Sequence, residues 1–159
     1  MVANRELNIM SLKAKIESAF AEVQHPGDGN ITRCPYNCSE CARVAAFFKG
    51  RKWAESTAED LKAQHTALAL FTPEAFQYFL PGYMLVSMDA YQKGDTIPDG
   101  IRFHFEYTAE VQGHFHVRMS KFTRAQRETI IEYLVHMEKK GAGSSEHAIG
   151  MLSEETAFV

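Results

Sequence analysis

This chain has no apolar run long enough to cross a membrane, no stripe of basic residues and no internal repeat, and each absence removes a class of function. The most apolar stretch, from Phe76 to Met88, still carries Gln77, Gly82 and Ser87 and falls short of the roughly 20 residues a span requires. Seventeen Lys and Arg against twenty Asp and Glu give a net charge of −3, with the cations dispersed. Nucleic acid and anionic membrane are therefore not expected partners. The N-terminal MVANRELNIMSLKAKIESAF lacks the continuous apolar segment of a signal peptide. Cysteine is scarce too: three residues, clustered, beside seven methionines, which excludes a disulfide scaffold and fits a reducing, cytoplasmic setting. Ser39 has no histidine and acid at recognisable motif spacing, so nucleophilic hydrolysis has no support.

What remains is a chain of 159 residues, 45% hydrophobic, long enough for one sizeable core and too short for two. Its organising segment is 72–91, TPEAFQYFLPGYMLVSMDAY. Thr72 caps, Pro73 fits the first helical position and Glu74 favours the positive end of the dipole. Phe76, Phe79, Leu80, Tyr83, Met84, Leu85, Val86 and Met88 run round the whole cylinder, the pattern of a helix surrounded by others. Pro81-Gly82 inside it predicts a kink or a break, because Pro81 cannot donate to Gln77.

Before this helix, Ile9, Leu12, Ile16, Phe20 and Val23 predict a helix over 5–24, stopped at His25-Pro26-Gly27. The turn-rich Asp28-Gly29-Asn30 leads to RCPYNCSEC, then to a short helix with Cys41, Val44, Ala45 and Phe48 on one face, capped by Asn37 with Glu40 and closed by Gly50. Trp53 is expected to anchor the following loop on the core. Thr57 caps a helix in which Leu61, His65 and Leu68 share a face.

After the central helix, KGDTIPDG over 93–100 reads as an exposed loop. Ile101, Phe103, Phe105 and Tyr107 then alternate with polar residues, as do Phe115 and Val117, which predicts a β-hairpin near 101–119. Facing its aromatics together sets His104 opposite His116 and Glu106 opposite His114. Thr123 and Gln126 form a capping box for a last major helix with Ile130, Ile131, Leu134 and Met137 inward, ending at Lys139-Lys140-Gly141. The expected architecture is mainly α: one compact helical domain over 1–140, built around a buried Pro-kinked central helix with one small β-hairpin. Residues 141–159 form a weakly ordered tail or short helix.

Chemistry concentrates at Cys34, Cys38 and Cys41. Cys38 and Cys41 lie near a helix N-terminus, where unpaired N–H groups stabilise thiolates, and thiolates are good zinc ligands. Four readings compete: cysteines packed or capping without a ligand, structural zinc, a Cys38/Cys41 redox pair, and iron–sulfur. A zinc tetrahedron needs a fourth donor, from His25, His65 or a hairpin histidine. The candidate metal set is Cys34, Cys38, Cys41 and His65, with zinc as the ion. His104, Glu106, His114 and His116, on one hairpin face, are a second candidate set, with a solvated polar face as its alternative. His65 on an apolar helix face is more often a hydrogen-bonded core histidine than a ligand.

The C-x3-C-x2-C spacing is similar to the cluster loop of radical S-adenosylmethionine enzymes. The similarity ends at the three cysteines: the chain is short and helical, and Glu40 stands where that family has an aromatic. At TPEAFQYFLPGY, and at IESAFAEVQHPGDGNI, FFKGRKWAE and FTRAQRETIIEYL, the chain resembles a family of small bacterial proteins of unknown function over most of 12–137. The resemblance implies a bacterial, compact, mostly helical domain and brings no activity with it. No full catalytic set is visible, so the expected function is a non-enzymatic interaction or regulatory module of a bacterial cytoplasm, stabilised by zinc. Its expected partner is a protein, a second copy included. The alternative is a small metal- or thiol-dependent enzyme using the cysteines or the hairpin histidines.

Overall fold

The computed structural model describes residues 2–34, 38–92, 94–106 and 112–154. Its hub is the helix the sequence marks most strongly, α5 (Pro73–Ala90), with the other elements laid round it. These are α1 (Val2–Phe20), α2 (Ser39–Phe48), a 3-10 turn (Trp53–Glu55), α3 (Ala58–Ala63), α4 (Ala67–Leu70), α6 (Ile97–Phe103), α7 (Gln112–Ser120), α8 (Arg124–Lys139) and α9 (Glu146–Glu154). α5 meets α1, the 3-10 turn, α3, α6 and α7, while α8 packs on α1, α6 and α9. No strand is present among the described residues; one isolated antiparallel bridge joins Thr32 to Phe71.

α5 starts as its sequence requires: Thr72 Oγ1 accepts the Ala75 N–H at 3.0 Å and Pro73 occupies the first turn. Phe76, Phe79, Leu80, Tyr83, Met84 and Met88 are all buried. Around them the rings interlock, with Phe48 tilted on Phe79 at a centroid distance of 4.7 Å and Phe76 edge-on to Phe105 and Phe122 at 5.8 and 6.0 Å. Each such ring contributes about 1.5–3 kcal/mol by burial, and an edge-to-face pair adds about 0.5–1.5. At the far end, Lys140 Nζ donates to Met88 O at 2.8 Å and Lys62 Nζ to Ala90 O at 3.4 Å, so two cations occupy the negative pole of the helix.

α5 runs through Pro81 without a break in the helix. The step serves packing: a Cβ on Gly82 would lie 2.9 Å from the carbonyl oxygen of Trp53 and 3.2 Å from Ser56 Oγ. Only a residue without a side chain lets the 3-10 turn sit this close. Trp53, half-buried, packs on the core there, as the sequence predicts.

The capping box at α8 forms, with Gln126 N donating to Thr123 Oγ1 and Thr123 N to Gln126 Oε1, both at 3.1 Å. The same buried amide has a wider role. Gln126 Nε2 donates to Ala19 O at 3.0 Å, and Gln77 Nε2 donates to Gln126 Oε1 at 3.1 Å and to Lys121 O at 2.7 Å. One side chain thus ties the end of α1, the first turns of α5 and the start of α8. Deeper in the core, the Ser87 and Tyr133 hydroxyls bond at 2.6 Å.

The hairpin expected near 101–119 is not supported, because its two arms are helical. α6 begins at Ile97, so 97–100 is not an exposed loop either: Ile97 and Pro98 are buried. Ile101 and Phe105 point inward four residues apart, and Phe115, Arg118, Met119 and Phe122 are buried at three- and four-residue steps. Phe103 and Val117, inward in the hairpin reading, are 53% and 51% exposed. Lys93 and residues 107–111, which belong to the same two expectations, lie outside the described residues. The 5–24 helix ends at Phe20. The helix after Thr57 is two short ones, so His65 sits in an exposed turn rather than on an apolar face. Beyond 140, α9 buries Ala148 and Leu152 in the common core; residues 155–159 lie outside the description.

The close approach at Gly82 sets up a test of opposing effects. Gly82→Ala gains about 1 kcal/mol of helix propensity, but the atom it meets is a turn carbonyl rather than a yielding side-chain end. Overpacking costs about 1–3 kcal/mol, so the variant is expected to lose up to about 2 kcal/mol of stability. Urea unfolding reads the change, and a midpoint equal to or above that of the parent would remove the packing role assigned to this glycine.

Candidate metal centre

Cys34 and Cys41 come from separately anchored pieces of chain. Residues 31–33 are held against the junction of α4 and α5 by Thr72 N to Ile31 O at 3.0 Å and Arg33 N to Leu70 O at 2.9 Å. Thr72 Oγ1 also donates to Asn30 O at 2.8 Å, so the residue that caps α5 holds the approach to Cys34. Cys41 is fixed from the other side, by the burial of Val44 and Phe48 on its own helix face.

Cys38 joins the two. It is the N-cap of α2, its Sγ accepting the Cys41 N–H at 3.3 Å. The cap is therefore a sulfur one residue after the expected Asn37, which itself lies outside the described residues. The Cys34 thiol donates to Cys38 Sγ at 3.4 Å, far beyond an S–S bond. All three sulfurs lie within 4.8 Å of one another. A tetrahedral zinc with Zn–S of about 2.3 Å places its sulfurs about 3.8 Å apart, inside that span.

The sulfurs are graded in exposure: Cys41 buried, Cys34 half-buried, Cys38 exposed. Burial first, and then hydrogen bonds and charge from Cys38 and Cys34, push the Cys41 thiol up to about 12. Three thiols so close resist ionising together without a cation. A divalent ion reverses this and expels their protons as it binds.

His65 does not join the three sulfurs. It is exposed, its Nδ1 2.9 Å from Lys62 O, at a shallow cleft with Gly94, Asp95, Thr96 and Ile97. His25 accepts the Gly27 N–H on Nδ1 and lies edge-on to Tyr78 and Phe79. Among the described residues, the former hairpin residues His104, Glu106, His114 and His116 do not gather either. Glu106 pairs with Arg102, His114 and His116 are exposed on α7, and His104 contacts Arg118.

That last contact was not legible in the sequence. Arg118 is buried, its guanidinium 4.4 Å from the Phe76 ring centroid and its Nη1 2.9 Å from His104 Nδ1. An arginine always donates, so His104 accepts on Nδ1 and is held neutral. Burial, then the charges of Arg118 and Arg33, push His104 down to about 3.

The geometry defines a small all-helical protein, as far as it is described, with a three-sulfur cluster at the start of one helix. The chain belongs to a family of unknown function, DUF6714, whose pattern matches residues 8–154. Neither a curated protein nor a solved structure matches it.

The state of His104 fixes a pH dependence. Its folded value lies below the ordinary 6.5, so the unfolded chain takes the proton first as pH falls. The stability it contributes is complete above about 6.5 and lost progressively toward about 3. His104→Gln keeps an acceptor for Arg118 without the titration. The fall in melting temperature between about pH 7 and about pH 5 should shrink in this variant; an unchanged fall would assign the acid sensitivity elsewhere, for instance to His136, which burial also pushes down.

Proposed function

We propose that this protein is a non-enzymatic interaction or regulatory module of a bacterial cytoplasm, in which zinc held by Cys34, Cys38 and Cys41 fastens the start of α2 to the segment anchored on α5. The observation that carries the reading is the convergence of three sulfurs from two independently held pieces of chain within 4.8 Å. Free packing of small apolar thiols does not require it, because Cys38 is exposed and gains nothing from burial. Thiols rather than disulfides fit a reducing compartment. The interaction role draws support from Phe103 on α6 and Val117 on α7, large apolar side chains each more than half exposed.

A second reading, a small thiol- or metal-dependent enzyme, is favoured by one feature. Cys38 is at once exposed and placed at a helix start, so its sulfur is within reach of a substrate.

Elemental analysis of protein purified without a histidine tag, with thiol counting before and after denaturation, tests the metal. One zinc per chain with protected thiols is expected. At a thousandfold excess over Kd, binding contributes about 4 kcal/mol, so Cys38→Ser should lose the metal and melt lower by roughly 8–16 °C. Absence of metal, with Cys38→Ser melting as the parent does, would leave a helical module without a metal.

A further inference from the structure

Every thiol and imidazole donor in the chain is placed, because all three cysteines and all seven histidines fall within the described residues. None of those histidines joins the three sulfurs, and neither does the carboxylate of Glu40 beside Cys41. A closed site of four cysteines, or of three cysteines and one histidine, is thus not completed from this chain's own donors in this arrangement. Structural zinc sites are closed, whereas sites that exchange ligands keep a position open. The exposure of the sulfurs points the same way: Cys41 lies at the base and Cys38 at the surface, so a bound ion is reachable from solvent.

Charge then narrows the ligand. Three thiolates on a divalent ion leave one net negative charge, which by itself disfavours another anion. Arg33 precedes Cys34, and Arg43 lies two residues beyond Cys41; both are exposed. Neither has a carboxylate partner among the described residues, where the arginine ion pairs involve Arg51, Arg102 and Arg124. Glu40 is the one acid within the cysteine segment. Two guanidiniums without a carboxylate partner, that of Arg33 donating its Nε–H to Ala69 O, stand against that single acid and offset the charge of a fourth anionic donor, and among such donors a thiolate matches three existing sulfurs in softness.

We propose that the ion held by Cys34, Cys38 and Cys41 keeps an exchangeable fourth position and takes there a thiolate from outside the chain. The inference rests on the metal reading above and assigns that site a ligand. Thiolate binding here is coordination only: the thiol gives its proton to solvent and no electrons are transferred. Two sources share this chemistry, a low-molecular-weight thiol and the exposed Cys38 of a second copy.

Cobalt(II) in place of zinc makes the donor set visible, since sulfur-to-metal charge-transfer absorption grows with each coordinated thiolate. Full-length protein loaded with one cobalt is titrated with glutathione, with S-methylglutathione as the control that lacks a thiol. The absorption is expected to rise to roughly four-thirds of its starting value as three sulfurs become four, to saturate, and to return on removal of the thiol. Glu40→Gln and His65→Ala should behave as the parent. Sedimentation of the cobalt form without added thiol separates the sources: a dimer already showing four-sulfur absorption assigns the second copy, and a monomer that responds to glutathione assigns the free thiol. A bound cobalt whose spectrum neither added thiol nor protein concentration changes overturns the open position alone. Failure of the folded, reduced protein to bind cobalt overturns the metal reading and this inference with it.

Discussion

The constraint on which the structure rests is that one helix is apolar all the way round. A segment with an apolar stripe needs one neighbour; α5, with nearly every side buried, needs several, and finds them in α1, the 3-10 turn, α3, α6 and α7. Gly82 follows from the same demand. Where a neighbour must come within contact distance of the helix backbone, a side chain is an obstruction, and the 3-10 turn at Trp53 occupies the space its absence leaves.

The candidate centre inherits its geometry from that hub. Thr72 begins α5 and with the same hydroxyl holds Asn30, while the adjoining backbone bonds fix residues 31–33. The position of Cys34 is in this way a consequence of where the central helix starts. α2 contributes the other two sulfurs, Cys38 as its exposed cap and Cys41 on its buried face, so the cluster spans a seam between an element fixed to α5 and one resting on α4.

Legibility in the sequence followed the strength of local signals. Thr72-Pro73-Glu74 and the Thr123/Gln126 box were readable because cap, dipole and backbone chemistry agree within four residues. The cysteine cluster was readable because three thiols in eight residues have few other uses. The hairpin failed on a choice of period: alternation over 101–107 and 115–117 masked the steps Ile101 to Phe105 and Phe115 to Met119 to Phe122, and those wider steps govern burial. Arg118 beside His104, and the second role of Gln126, depend on contacts between distant segments, and no spacing within one segment encodes them. His65 misled for a related reason, since its helical phase with Leu61 and Leu68 holds only if the helix continues through Gln64 and Thr66.

The cap of α2 is a sulfur, and that single atom belongs to two equilibria. Cys38 Sγ receives the N–H that opens the helix and is also a corner of the cluster. Because linkage is reciprocal, an ion taken up by the cluster and the first turn of α2 would bias each other by the same factor. The sulfur makes the first turn a reporter: backbone amide exchange at Cys41, whose N–H that sulfur accepts, would follow any ion the cluster takes up.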